Sequence, residues 1–518
     1  MSDDESRNVS YWIDSTEATA YPSLHGDRLA DVVVVGGGIT GLTTAYLLAR
    51  AGVHVMVVEA RRICAGATGF TTGKVTSQHG LTYAKLASSH GHERAAVYAD
   101  AQQSALARIV EIVADEAIEC DLRRADAYVY TEDLKRLRDI SDEYDMTSAL
   151  GLPAHAVDTD IGLPWTVAGA VRFSDQVLFH PRRYCLGLAA AIERRGGTIV
   201  EQTRAHDVDE SAEGDTVAVR TSGGVIRAGA VVLATQTPFL DRGAFFARTQ
   251  PHRSYVIAAR WDDPPAGMYI SADQPVRSLR PHTDAQGSVL MIGGGGHRTG
   301  KDEHTGDQYG ELRRFAHDRF DMAPEWQWSA QDFTPGDGVP YIGPITTNSK
   351  HTFVATGYAK WGMTNGTVAA MIISDSILGR ENRWCDAFDS TRVDLRRSLE
   401  IVGSQGLSTV KSIVGDRVAA LVANDVDSLA PGTGAVVRAN GHAVAAYRHE
   451  DGRLSAVSPR CTHLSCIVHF NDAERTWDCP CHGSRFDLDG HVIDGPASDD
   501  LSVVRLGADD SPSPVEKP

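Results

Sequence analysis

The 518-residue chain is predicted to fold as a large α/β unit with an interleaved α+β part, followed by a small all-β unit. Three observations carry this expectation. The valine-dominated runs Asp31–Val35 and Val53–Val58 read as strands buried on both faces, and the first leads through Gly36–Gly41 into a helix over Thr43–Arg50 that Gly52 ends. That is one βαβ unit of the Rossmann type. From about Asp427 the pattern changes to short strands and turns, with four of the eight cysteines crowded between Cys461 and Cys481.

The remaining elements follow in order. Residues 1–27 read as a polar lead-in. His92–Glu116 and Glu132–Leu150 are amphipathic helices, and Pro181–Arg195 is a third, opened by proline and closed by Gly196–Gly197. Alternating segments run from Thr198 to a strand at Ala230–Ala234, and a strand-rich stretch covers Val256–Ile292, closed by a tight turn at Gly293–Gly296. Ala359–Leu378 passes from a glycine-rich turn into a helix, and Ser398–Asn424 reads as helix and linker. The expected plan is a dinucleotide domain of 28–90, 175–250 and 331–390, and a substrate domain of 91–174 and 251–330. A helical linker of 391–427, a β domain of 428–508 and a tail of 509–518 complete it.

Composition narrows the function classes. The 50 Lys+Arg against 68 Asp+Glu give a net charge of −18, which excludes a protein that coats nucleic-acid phosphates. No apolar run approaches the roughly 18–20 residues that span a bilayer, and the start MSDDESRNVS has neither a basic nor an apolar segment of a signal peptide. The expected location is the cytoplasm, where thiols are normally kept reduced.

The motif Gly36-x-Gly38-x-x-Gly41 sits between strand and helix, where a sharp turn, close backbone approach to a pyrophosphate and tight packing each demand a missing Cβ. The helix amino terminus offers free N–H groups and its positive dipole end to phosphate. Glu59 ends the second strand, placed to accept ribose hydroxyls and to disfavour a 2′-phosphate. Ala65–Thr76 suits a second phosphate-proximal loop. Far downstream come Asp337-Gly338-x-Pro340-x-Ile342-Gly343, Ala355-Thr356-Gly357 and Trp361-Gly362-Met363-Thr364.

With these segments, the VVLAT strand at Val231–Thr235 and the helix from Pro181, residues 28–390 resemble the D-amino acid oxidase-like family of FAD-dependent oxidoreductases. The resemblance implies FAD held by Gly36, Gly38, Gly41, Glu59, Arg61, Thr68, Gly357, Gly362, Met363 and Thr364. It also implies oxidation of a carbon bearing an amine, with flavin N5 as hydride acceptor and no dedicated side-chain base. Candidates for substrate contact are Gln78, His79, Arg253, Tyr255, Arg280, His297, Tyr358 and Lys360, where an arginine or tyrosine could clamp a carboxylate. No specific substrate is implied.

The clustered cysteines read Cys461-Thr-His463-Leu-Ser-Cys466 and Cys479-Pro-Cys481-His482-Gly-Ser484, two loops each offering one thiolate and one imidazole. Zinc could take two Cys and two His, and a two-iron cluster could take the cysteines on one iron and the histidines on the other. The close C-x-H spacing favours the cluster, because neighbouring ligands can then reach different irons. Cys466 and Cys481 occupy matched places where a disulfide could tie the loops, and an unliganded disulfide knot is the third alternative.

The pattern resembles the Rieske domain of the disulfide-containing, high-potential kind, over about 428–508, with Gly495-Pro496-Ala497 resembling its proline loop. The resemblance implies a [2Fe-2S] cluster on Cys461, Cys479, His463 and His482, and a Cys466–Cys481 disulfide. His469 and His491 match no ligand position and are expected at the surface. Ser465 stands where the family often has glycine, so the first loop is expected to turn differently. Phe486 replaces a tyrosine whose hydroxyl bonds a ligand sulfur in high-potential members, while Ser484 keeps the other hydroxyl.

Together the two halves suggest an enzyme that oxidises a small-molecule amine or amino acid and passes electrons through its own cluster to a protein or quinone-like acceptor. The alternatives are an electron-transfer component for a separate oxygenase or reductase, and a redox sensor built on the disulfide. No second GxGxxG for a nicotinamide is present and no mononuclear-iron facial triad can be read, which weighs against a self-contained Rieske oxygenase. Loss of one hydroxyl donor near the sulfurs destabilises the reduced, more negative cluster. Redox titration is therefore expected to place its midpoint below the top of the roughly −150 to +300 mV Rieske range, and a midpoint at that upper end would contradict this.

Overall fold

Alternation along two valine strands decides the layering of the first unit. The computed structural model describes residues 6–157, 159–210, 216–302, 304–392, 425–439 and 441–506. Val32–Val35 and Val55–Val58 lie side by side and parallel in a six-stranded sheet. Side chains alternate across a strand. Val32, Val34, Val55 and Val57 accordingly meet the helices Ile39–Arg50, Pro181–Arg194 and Gly362–Ile377, while Val33, Val35, Met56 and Val58 meet a four-stranded sheet on the other side. The sheet runs Tyr341–Pro344, Thr352–Thr356, Ala230–Leu233, Val32–Val35, Val55–Val58, Thr198–Val200, with only Tyr341–Pro344 antiparallel. The Gly36 turn leaves its carboxyl end, where ligands of such sheets bind.

A ten-stranded sheet forms the second layer, with the long strands Thr249–Arg260, Gly287–Arg298 and Trp326–Pro335 at its heart. Leu279, Leu290 and Ile292 on one face are covered by the helix Gly306–Phe320. The expected turn at Gly293–Gly296 is corrected here, because the strand continues to Arg298 and Gly295, at φ +63°, and Gly296 form only a bulge in its pairing. Gly293 and Gly294 stay in register opposite Val256 and Tyr255, and a Cβ on Gly294 would lie 2.8 Å from the Val276 carbonyl oxygen. Glycine there serves close packing rather than a reversal of the chain.

The polar lead-in is also corrected. Ser10 caps the short helix Tyr11–Asp14, and Arg7–Asn8 adds a parallel strand beside Trp326. Trp12 is 0% exposed, donates from Nε1 to the Thr71 carbonyl at 2.6 Å, and lies 4.6 Å beneath the Arg280 guanidinium. Residues 132–136 do not join the helix expected over 132–150. Asp133 caps a tight turn at Leu134–Arg136, and the α-helix spans Leu137–Ala149.

The carboxy-terminal unit consists of two antiparallel sheets. One has Thr433–Ala439, His442–Arg448 and Leu454–Val457, the other His469–Asn471, Thr476–Asp478, Arg485–Phe486 and Val492–Asp494. Tyr447, Trp477, Phe486 and Val492 fill the core around the cysteine loops. The expected helix within 391–427 falls largely, and the tail at 509–518 wholly, outside the described residues.

His180 and His282 pack against Trp12, and burial pushes their imidazoles down to about 3 and about 2. Below about pH 6.5 the unfolded chain binds protons there that the folded chain refuses. Stability is therefore present above that pH and falls by up to ~1.4 kcal/mol per pH unit for each group as pH drops. Denaturant unfolding at pH 7 and pH 5 should show this loss, and a flat profile would refute it. In the same assay Trp12→Ala is expected to cost about 3–5 kcal/mol.

Candidate functional site

A cavity of about 810 Å³ lies where the two large sheets and the carboxy-terminal unit meet. Its first wall is the Gly36–Gly38 turn and Ile39, with Glu59, Arg61 and Thr68. Gly36 has φ +114°, and a Cβ there would lie 2.5 Å from the Ala234 carbonyl oxygen. On Gly41, just behind the wall, a Cβ would lie 1.9 Å from the Gly36 carbonyl oxygen. Glu59 is held rigidly, accepting from Gly37 N at 2.7 Å and Arg61 N at 2.8 Å, and Thr68 Oγ1 accepts from Ile39 N at 3.1 Å. A glycine cradle, a helix start and a fixed acid suit the ADP half of FAD.

The far end of the cavity is lined by Tyr358, Lys360, Trp361, Gly362 and Met363, facing Gly293–Gly296 of the large sheet. Gly357, at φ +80°, makes the turn before them without lining the cavity. Thr364 lies one layer back, with its hydroxyl 3.0 Å from His79 Nε2. His79 stacks on Trp361 with ring centres 4.6 Å apart, and its Nδ1 is 2.7 Å from the Tyr98 hydroxyl. Burial pushes it down to about 3, so the imidazole is neutral.

The substrate candidates divide. His79, Tyr255, Tyr358 and Lys360 line the cavity. Arg253, Arg280, His297 and Gln78 do not, and their expected substrate contacts are corrected. Arg280 donates to the Phe179 carbonyl and lies over Trp12, and Arg253 donates to Ser329 and pairs with Glu474 at 3.4 Å. His297 lies behind Tyr255, with Nε2 3.0 Å from its hydroxyl, and Gln78 donates to the Val171 carbonyl at 2.8 Å.

Two lining residues carry a chemistry not anticipated. Lys74 donates from Nζ to the Tyr269 carbonyl and Ser278 Oγ, both at 2.7 Å, and burial pushes it down to about 7. Among the described residues no carboxylate pairs with it. Asp332 accepts from Phe333 N at 2.7 Å and from Lys360 N, and burial raises it to about 6. The signal for Lys74 was present as a lone lysine inside the small-residue loop Ala65–Thr76, whereas Asp332 and the lining residue Gln331 had none.

The cysteine loops fold alike. Cys461 N donates to Cys466 O at 2.8 Å and Ser465 N to Cys461 O at 2.9 Å, while Cys479 N donates to Ser484 O at 2.8 Å and Gly483 N to Cys479 O at 3.0 Å. Cys466 and Cys481 are joined as a disulfide, and both are buried. The sulfurs of Cys466, Cys479 and Cys481 lie within 4.8 Å of one another, but the bonded pair has no thiolate to offer, which leaves Cys461 and Cys479 as donors. These two are hydrogen-bonded to each other, and that bond holds Cys461 below the usual thiol range. The rings of His463 and His482 are 5.0 Å apart, and both Nδ1 atoms are buried without a partner. Orphaned imidazole nitrogens beside two thiols fit the [2Fe-2S] donor set.

The surroundings match that use. Ser484 donates to the Cys461 sulfur and accepts from Ala497 N at 3.0 Å, whereas Phe486 fills its place with no hydroxyl. Ser465 sits at φ +57°, the left-handed conformation that glycine adopts without cost. His491 is exposed and bonds Asp500 at 2.9 Å, while His469 is half-buried and pairs as a strand residue with Asp478.

Comparison with known proteins matches residues 31–376 to the FAD dependent oxidoreductase (DAO) model and residues 419–505 to the Rieske [2Fe-2S] domain. The chain is 36% identical over 502 residues to YhfW of Bacillus subtilis (strain 168), named for a Rieske 2Fe-2S iron-sulfur protein, covering 96% of this chain and 97% of that one. It is 25% identical over 396 residues to gamma-glutamylputrescine oxidoreductase of Escherichia coli (strain K12), covering 73% of this chain and 91% of that one. The crystal structure of glycine oxidase from Geobacillus kaustophilus superposes with a TM-score of 0.59 at 20% identity, covering 71% of this chain and 99% of the other. This chain belongs to the FAD dependent oxidoreductase (DAO) family, with a Rieske [2Fe-2S] domain at its carboxy-terminal end.

Proposed function

We propose that the chain is a cytoplasmic FAD-dependent dehydrogenase that oxidises the C–N bond of an amine or amino acid and delivers the electrons singly, through its own Rieske cluster, to an external acceptor. The supporting observation is one residue. Gln331 lines the cavity and donates from Nε2 to the carbonyl of Gly483, next to the candidate ligand His482, at 2.8 Å. When bound, FAD supplies hydride acceptance at N5 and the cluster one-electron carriage. Among the described residues no helix is long and apolar enough to cross a membrane.

The chain's own residues position the donor and set the charge around it. Lys74, lowered to about 7 with no acid beside it among the described residues, suits a donor's carboxylate, which would hold it protonated. Asp332, raised to about 6, keeps a proton acceptor near neutrality in the same cavity. His79 remains neutral and braces Trp361.

Anaerobic addition of an amine and amino-acid panel should bleach the flavin absorbance and then raise a Rieske-type EPR signal. Reduction by a protein or NAD(P)H alone would instead make the chain an electron-transfer component, and no reduction by any donor would end the proposal. Lys74→Met is expected to raise KM for carboxylate-bearing donors about tenfold or more while leaving bare amines little changed. An equal effect on both classes would remove the carboxylate role from Lys74.

A further inference from the structure

The carboxy-terminal unit does more than carry the cluster. Ile493, Asp494, Gly495, Ala497 and Ser498, from its last strand and the following loop, line the same cavity as Gly36 and Glu59. On the body's side Arg204 donates to the Val492 carbonyl at 3.0 Å and Arg61 lies 3.7 Å from Asp494. The seam is shaped from both sides. A Cβ on Gly483 would lie 2.5 Å from the Pro251 Cβ, and one on Gly300 would lie 2.7 Å from Pro480 N. At both positions the two units meet at distances that only a missing Cβ permits, which is a fit rather than a loose encounter.

Gln331 stands at the centre of this seam. Its Oε1 accepts from Thr299 Oγ1 at 2.9 Å, its Nε2 donates to Gly483 O, and its carbonyl accepts from Gln236. Every polar group of this buried side chain is therefore used, half toward the body and half toward the cluster loop.

We propose that the Rieske unit completes the FAD site, with Ile493–Ser498 as one of its walls and Gln331 as the positioning residue that couples that wall to the cluster loop. FAD retention and docking of the Rieske unit are then one linked equilibrium, so weakening either weakens the other. The inference needs FAD and the cluster but not the amine-oxidation reading, and its test uses no donor.

FAD dissociation constants are measured on the full-length, cluster-loaded protein by recovery of free-flavin fluorescence, for wild type, Ile493→Ala and Gln331→Leu. Both variants are expected to bind FAD about tenfold more weakly, with iron content and the EPR spectrum of the reduced cluster retained. Wild-type FAD affinity in both variants would overturn the proposal. If Ile493→Ala does not fold, Gln331→Leu alone decides, because its loss leaves the wall's apolar packing intact. Weak FAD binding in Gln331→Leu that is matched by loss of the cluster signal would also overturn it, since the effect would then be collapse of the loop.

Discussion

One buried guanidinium organises the junction on which the molecule depends. Arg485 is deeply buried and bonds Asp478 at 3.0 Å, Asp494 at 3.0 Å and Thr476 Oγ1 at 3.1 Å, with Glu474 at 3.9 Å. Burial alone would lower its pKa, but three carboxylates hold it above its ordinary value. Three acids around one base would be unbalanced, and the flavin body supplies the difference with Arg253 at Glu474 and Arg61 near Asp494. Three cations then face three anions across two domains. The strands that carry the second cysteine loop are tied to the body by charge that neither part can satisfy by itself.

This network gives Arg253, expected at the substrate, a distant partner in Glu474 that no local pattern shows. The motif Cys461-x-His463 with Cys479-x-x-His482 is local, and its chemistry needs only the loops that contain it. The Gly36–Gly41 turn and Glu59 are local in the same sense, since one βαβ unit builds them. Arg253 and Glu474 are 221 residues apart, and nothing in either neighbourhood announces the other. Trp12 and Arg280 fail for the same reason, as does the glycine run at 293–296, which a local reading takes for a turn. Gly293 and Gly294 take their register from Val256 and Tyr255 on another strand, and the bulge at Gly295 and Gly296 follows from that pairing. Patterns that close within about thirty residues were legible, whereas pairings between distant segments were not.

The cysteine count acquires a physical meaning from burial. Cys64, Cys120 and Cys185 are buried and Cys385 is half-buried, which is ordinary behaviour for a small apolar side chain. The clustered four are buried too, yet they sit in loops whose backbone turns are strained in one place. Ser465 takes φ +57° where glycine would be free, at a cost of order 1–2 kcal/mol. The N–H of that same residue closes the first loop onto Cys461, and the disulfide from Cys466 holds it against the second. The strain is kept by a structure that fixes the loop from both ends.

Docking has a consequence for the cluster's outer edge. Here His463 Nε2 is 2.8 Å from Asp241 Oδ1 of the flavin body, and the Phe246 ring stands edge-on to His463 and His482 at 5.4 and 4.9 Å. The two imidazoles therefore meet protein rather than solvent, while Leu464 beside them is 42% exposed. An acceptor reaching the cluster through its histidines would have to displace Asp241 and Phe246. An acceptor approaching at Leu464 would not. The geometry thus separates the side of the loop that meets the flavin body at Asp241 and Phe246 from the side at Leu464 that faces solvent.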